Sequence, residues 1–355
     1  MAKFTISVCT MVFASIALVA TVGHAGGIAD PTPSENASNN NTQNDRAVFG
    51  QGGTVTTSSS STLVLDGAGG GFTTGESGAG FSTESSSAPG GLPTGISAGD
   101  VYGDVSIWVQ ASYNAIDVSE TGLEMEGDVY VGAVGADYTF SEKLKAGLAI
   151  GYESAHLDTD YNSGAYRGDG FSVMPYLMFD FSDQWTLSAL LGYANLDYDT
   201  DRNQGGVSAN FEAQRLFSTV AVEGSYAYGG YRFKPKASVL VLREYQEQYT
   251  DSTGAVTLSE VQGYGRLSAG GKVGYKIRNA IPYLRMEVMW DFDVPGRVTT
   301  ATGATSKSDA IAGIANLGYE MSFGSFTASV AAGYNSFFRQ DVDHWISTLR
   351  ASYTF

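Results

Sequence analysis

The sequence predicts an all-β protein: a closed transmembrane up-and-down antiparallel β-barrel, taken as twelve strands, preceded by a disordered low-complexity segment. Three observations predict it. Segments with one apolar and one polar face repeat without a break from about residue 104 to the end. The connections between them alternate between short and long. The last strand closes on an aromatic, with Trp345, Leu349, Ala351, Tyr353 and Phe355 on one face and His344, Thr348, Arg350, Ser352 and Thr354 on the other. A tilted strand crossing a bilayer needs that pattern, with the terminal aromatic at the headgroup boundary.

The elements follow in chain order. Residues 1–25 carry one early cation, Lys3, an apolar run from Val8 to Val22, and a small-x-small exit at Gly23-His-Ala25. This reads as a secretory signal peptide, too short for a membrane anchor. Cys9 is the only cysteine and lies inside it, so the exported chain is expected to hold no disulfide. No later apolar run reaches the ~18 residues of a membrane helix.

Residues 26–96 form a Gly/Ser/Thr/Asn-rich segment, a short passenger or linker. Between residues 26 and 100 there are 16 glycines, no Tyr or Trp, and one cation, Arg46. A stretch so poor in bulky side chains cannot bury enough apolar surface to offset its chain entropy.

Residues 97–355 hold the barrel. Strands are expected at 104–117, 128–140, 144–156, 169–181, 184–197, 211–228, 231–245, 260–277, 280–292, 310–323, 325–338 and 342–355. Short turns on one rim and long loops on the other mark an outer-membrane barrel whose short side is periplasmic. On strand 280–292, Pro282, Leu284, Met286, Val288, Trp290 and Phe292 fall outside, and Arg285, Glu287 and Asp291 inside. Lys145, Glu153, Arg266, Lys272 and Arg350 also fall on inward faces. A charge on the lipid face would cost roughly 2–4 kcal/mol at mid-depth, so the interior is where these residues belong. Phe140, Trp185, Tyr231, Tyr283 and Phe323 adjoin the short turns and are read as a periplasmic aromatic girdle.

The net charge of −17 divides into +1 for the signal, −6 for residues 26–100 and −12 for the barrel region, where the long loops account for all of it. An acidic outer rim argues against a nucleic-acid partner. Clusters such as Glu120, Glu124, Glu126 and Asp128, or Asp197, Asp199 and Asp201, read first as solvated loops and second as cation ligands. No metal or cofactor is expected. The chain after residue 25 has two histidines, His156 and His344, and no Gly-x-Ser-x-Gly elbow or phosphate loop, so no catalytic residue is assigned.

A set of motifs carries a family resemblance. They are Ser97-Ala-Gly-Asp100 leading into Ile107-Trp-Val-Gln110, Gly127-Asp-Val-Tyr130 with Val134-Gly-Ala-Asp-Tyr138, and Ala146-Gly-Leu-Ala-Ile-Gly-Tyr152. Pro282-Tyr-Leu-Arg-Met-Glu287, Trp290-Asp-Phe-Asp293 and the Phe355 ending complete it. In these the chain resembles the translocator barrel of monomeric autotransporters. The resemblance implies a twelve-stranded outer-membrane barrel that anchors and translocates its own N-terminal segment. It implies outer-membrane lipid, the secretion translocon and the barrel-assembly machinery as partners, and a monomer. Phe355, Tyr353 and Leu349 would then form the assembly signal. Arg285 and Glu287 match the family's pore-lining positions, and Asp291, Arg266, Lys272 and Arg350 join them by face.

The chain departs from that family in two places. About 75 residues stand where a long repetitive passenger is usual. Residues 75–100 lack the helical periodicity of a pore helix, so an extended plug is expected instead. Alternative readings are a porin-like channel, or a structural or adhesive barrel, whose N-terminal segment stays periplasmic or plugs the lumen.

Overall fold

In a computed structural model, residues 105–119, 124–293 and 310–355 are described. The signal segment, residues 26–96, the boundary at 97, the expected plug, Glu120 and most of loop 293–309 lie outside them. Among the described residues, twelve long strands pair antiparallel: β1 (Val105–Val118), β2 (Met125–Ser141), β3 (Leu144–Thr159), β4 (Gly164–Asp180), β5 (Trp185–Arg202) and β6 (Val207–Gly224) come first. After the three-residue strand β7 (Tyr226–Tyr228) come β8 (Tyr231–Gln246), a small hairpin of β9 (Tyr249–Thr250) and β10 (Val256–Thr257), and β11 (Glu260–Tyr275). The series ends with β12 (Ala280–Asp293), β13 (Ile311–Phe323), β14 (Phe326–Phe337) and β15 (Val342–Thr354).

Each long strand pairs with its sequence neighbours, β8 pairs directly with β11, and β15 pairs with β1 from Ser106↔Thr354 to Val118↔Val342. That last seam closes the sheet into a barrel. Closure leaves no sheet edge, as a bilayer requires of any spanning strand. At the seam's lower end the Phe355 backbone N–H donates to the Val105 carbonyl at 3.0 Å, and the hydroxyls of Ser106 and Thr354 meet at 3.1 Å.

Alternation decides the faces. Ile107, Val109, Leu148, Ile150, Val173, Leu267, Met286, Val288, Leu317 and Leu349 are exposed on the outer wall, while their neighbours along each strand are buried inside. Short turns include Gly229-Gly230, Arg278-Asn279 and Gly324, with positive φ at Gly229, Arg278 and Gly324. Phe140, Tyr231 and Phe323 are exposed beside them, and Trp185 stands partly exposed against Tyr226. Tyr283 departs from the expected girdle. It is 4% exposed and faces the lumen, because it shares parity with Arg285 and not with Leu284.

The upper strands run further than expected. β3 continues to Thr159, β4 begins at Gly164, β5 continues to Arg202 and β6 begins at Val207, all inside stretches read from sequence as loops. The period of two persists there with reversed polarity. Asp158, Asp197, Asp199, Asn210 and Glu212 point outward, while Leu157, Leu196, Tyr198 and Ala213 are buried inside. Above the lipid the outer face meets water, so acidic residues suit it, and the inner face packs an apolar cluster. The β9–β10 hairpin folds onto this collar. Tyr249 stacks on Phe211 at 4.6 Å, and Asp251 pairs with Arg202 at 2.6 Å.

Candidate functional site: the barrel lumen

The inward face carries the chemistry, and three side-chain groups organise it. In the first, near the periplasmic rim, Lys145 pairs with Asp137 at 3.3 Å. The Trp108 indole N–H donates to the Tyr176 hydroxyl at 2.7 Å, and that hydroxyl donates to Asp137 at 3.0 Å. Arg350 lies over the Trp108 ring at 5.5 Å. This chain joins β1, β2, β3, β4 and β15 across the interior.

The second group occupies the β8–β13 side. Arg285 and Glu287, two apart on β12, meet at 2.8 Å. Lys272 of β11 reaches Glu320 of β13 at 3.3 Å and covers the Tyr283 ring at 4.5 Å. Lys234 stands 4.0 Å from Glu223.

The third group lies toward the extracellular end. Arg215 donates to both oxygens of Glu153 at 2.8 and 3.0 Å, to Glu244 at 2.7 Å and to the Tyr198 hydroxyl at 3.0 Å, tying β3, β5, β6 and β8 together. On the neighbouring strands β11 and β12, Arg266, 0% exposed, pairs with Asp291 at 2.7 Å. Asp291 also accepts from Tyr264 at 2.8 Å and from Arg339, which reaches in from the β14–β15 connection at 2.5 Å. Removing one partner of such a buried pair costs about 3–5 kcal/mol, because the other charge is left uncompensated.

The expected pore residues fall as follows. Arg285, Glu287, Asp291 and Arg266 are buried on the inner face, and Lys272 and Arg350 are half-buried there. The structure brings Arg266 together with Asp291, and Arg285 with Glu287, but places the two pairs at different heights along β12. Phe355, Tyr353 and Leu349 lie exposed on the outer face of the closing strand, with Tyr353 edge-on to Phe355 at 4.9 Å. His344 is buried with its Nε2 3.1 Å from the Asn114 side-chain oxygen. His156 is exposed and accepts from Arg167 at 3.1 Å. Among the described residues no group of His, Cys, Asp or Glu is arranged to hold a metal ion. The Asn210 amide donates to Asp199, one of the acidic collar residues.

Sequence reasoning missed a set of lumenal aromatics seated on glycines. Trp108 lies opposite Gly135, Tyr176 opposite Gly147, Tyr198 opposite Gly168, Phe217 opposite Gly192 and Tyr283 opposite Gly318, each on the adjacent strand. A Cβ added at any of these glycines would stand 2.0–2.6 Å from the ring. The rings lie flat along the wall, which keeps bulky groups from filling the bore. Parity and register together would have found them; parity alone marks the aromatic but not its glycine.

Asp251 on the extracellular hairpin is the acid whose setting is most clearly built. Burial pushes its carboxyl up, but the Thr253 hydroxyl, the backbone N–H groups of Ala255 and Thr253, and Arg202 outweigh it and hold the group below the ordinary carboxylate range.

The family pattern described as autotransporter beta-domain matches residues 107–335. Solved structures of similar fold include the translocator domain of the autotransporter NalP from Neisseria meningitidis, 15% identical, with TM-score 0.59 over 72% of this chain and 89% of that one. Another is the transport unit of the autotransporter AIDA-I from Escherichia coli, 13% identical, with TM-score 0.59 over 70% and 90%. A third is the beta domain of the Bordetella autotransporter Brka, 16% identical, with TM-score 0.57 over 72% and 100%. No curated protein matches the chain in sequence. With a family match across more than half its length, a closed antiparallel barrel and an outer wall fit for lipid, the chain belongs to the autotransporter beta-domain family and is an outer-membrane autotransporter barrel.

Proposed function

We propose that this barrel anchors in the outer membrane and passes its own N-terminal segment, residues 26–96, through the lumen to the cell surface. The observation that carries the reading is the inner wall. Its bulky aromatics lie flat over glycines, and its charges are tied to wall partners rather than projecting free. The segment suits passage, being flexible in composition and free of cysteine. Export begins with removal of residues 1–25 and delivery by the secretion translocon. Insertion by the barrel-assembly machinery uses the outward aromatic ending Leu349, Tyr353 and Phe355. Arg285, Glu287, Asp291, Arg266, Lys272 and Arg350 line the path.

An epitope tag inserted near Ser60 tests the reading. Antibody binding to intact cells, with the tag lost on mild external proteolysis, is the expected result. A tag reached only after the outer membrane is permeabilised contradicts it.

A further inference from the structure

One cation stands on the lipid side of the wall. Arg243, near the extracellular end of β8, lies between Leu242 and Glu244, both buried on the inner face, so its own side chain faces outward. Register sets it directly opposite Leu216 of β6 and Gly263 of β11, with Val241 and Tyr245 next along its face. The guanidinium lies over Gly263, where an added Cβ would stand 1.7 Å from Nη1. It is half-buried there, and Nη1 reaches the Leu242 carbonyl at 3.4 Å. The exposed acids Glu212 and Glu247 stand four residues higher, about 13 Å along the strands. Arg167, an outward cation on β4, is placed differently: it is exposed and its Nε donates to His156.

Below Arg243 the same wall is hollowed. An almost wholly apolar groove of about 570 Å³ crosses five neighbouring strands, β6, β8, β11, β12 and the start of β13. Ala237 and Ala269, paired across β8 and β11, form its floor. Val222 and Val288 are paired to either side of them, and Leu267 and Trp290 stand in the row above. Ala237 lies six residues below Arg243 on the same face, about 20 Å along the strand. With the strand tilted by some 40°, that is about 15 Å of depth, the hydrocarbon thickness of one leaflet.

We propose that this face binds one phosphorylated, multi-chained glycolipid of the outer leaflet, with a phosphate on Arg243 and acyl chains in the groove beneath it. Charge supports the occupant. An outward cation among apolar neighbours is costly in lipid unless an anion meets it, and a guanidinium pairs with two phosphate oxygens at once. Depth supports it as well, because a chain hung from a headgroup at Arg243 ends at the groove floor. Position puts the site in the outer leaflet, since Arg243 lies toward the long-loop rim. Width favours many chains: five strands span about 19 Å, more than the two side-by-side chains of a glycerophospholipid cover. The glycolipid would fix the height and rotation of this wall in the membrane.

The test extracts the full chain from membranes in detergent and titrates it with bisphosphorylated lipid A, reading bound lipid by intact-complex mass spectrometry. Heat-modifiability checks that each variant is folded. A one-to-one adduct is expected, weakened roughly tenfold or more in Arg243→Gln and largely kept in Arg243→Lys. Ala269→Leu fills the groove without touching the charge and should weaken the adduct too, which keeps the test decisive if Arg243→Gln fails to insert. Undiminished binding in the folded variants overturns the site. An equal loss in Arg167→Gln also overturns it, since surface charge alone would then suffice. Equal binding of phosphatidylglycerol overturns the proposed occupant. A protein dimer in place of the adduct, abolished by Ala269→Leu, replaces the lipid by a second copy of the chain.

Discussion

At the scale of single residues, glycine does much to set the shape of the interior. Gly318 lies directly opposite Tyr283, and a Cβ there would stand 2.0 Å from the ring. Gly318→Ala must therefore push Tyr283 into the bore or distort β13, destabilising the barrel by about 1–3 kcal/mol. Urea unfolding in detergent micelles would measure it. Adding Tyr283→Ala should make the double variant less damaged than the sum of the single losses, since it removes the clashing group. Strict additivity would mean that the two do not meet. Tyr283 also shows where sequence was misread. Its nearness to a short turn suggested the outer girdle, while parity with Arg285 and Glu287 places it inside. When the two cues conflict on a regular strand, parity prevails, because a change of face needs a one-residue slip of the whole strand.

At the scale of elements, the number, order and pairing of the twelve long strands were legible in the sequence, because lipid outside and charge inside make the alternation strong. The upper ends of β3, β4, β5 and β6 were not. Asp158 and Asp199 fell in stretches read as loop, yet these strands rise past the lipid into water, where an outward acid is well placed. The β9–β10 hairpin was hidden for a different reason. Its order comes from Asp251 capping its own turn and pairing with Arg202, which no periodicity records. Its pH dependence follows in sign. A carboxyl held below its unfolded value of about 3.9 gives stability that is fully present above that value. That stability is lost as pH falls through the depressed folded value. Hydrogen exchange at the backbone N–H groups of Thr253 and Ala255 should stay slow through neutral and mildly acidic pH and quicken below about pH 4. Asp251→Asn should quicken it already at pH 7; unchanged protection in that variant would remove Asp251 as the organiser.

The closing strand belongs to the same scale. β15 seals the barrel against β1, and Phe355 just past it supplies the lowest bond of the seam. Deleting Phe355, or replacing it by Asp, should lower the yield of heat-modifiable, membrane-inserted protein. Asp199→Asn in the acidic collar should leave that yield unchanged. Equal yields for all three would take assembly away from the terminal aromatic.

At the scale of the whole molecule, the barrel combines two inversions. In the membrane its exterior is apolar and its interior carries the charged pairs beside a buried apolar cluster; above the membrane the exterior is acidic and the interior apolar. The sequence predicted the first because one pattern repeats twelve times. The lumen's pairing was far less legible, since Arg215 bridges β3 to β8 and Trp108 reaches Tyr176 across two intervening strands. Such contacts follow from barrel curvature, which local alternation does not encode. Together these features describe a closed wall, cross-tied inside and apolar toward lipid.

The central claim is that the chain leaves through this lumen, and a size test addresses it most directly. A small two-cysteine module placed near Ser60 can be held oxidised or reduced, with Cys9 the only native cysteine and lying ahead of residue 26. The export reading requires a bore that passes an extended strand and refuses a disulfide-locked fold. Under reducing conditions a tag beside the module should reach the surface of intact cells. With the disulfide formed it should stall and remain protected from external protease. Equal surface display of the locked and reduced forms would contradict passage through the barrel.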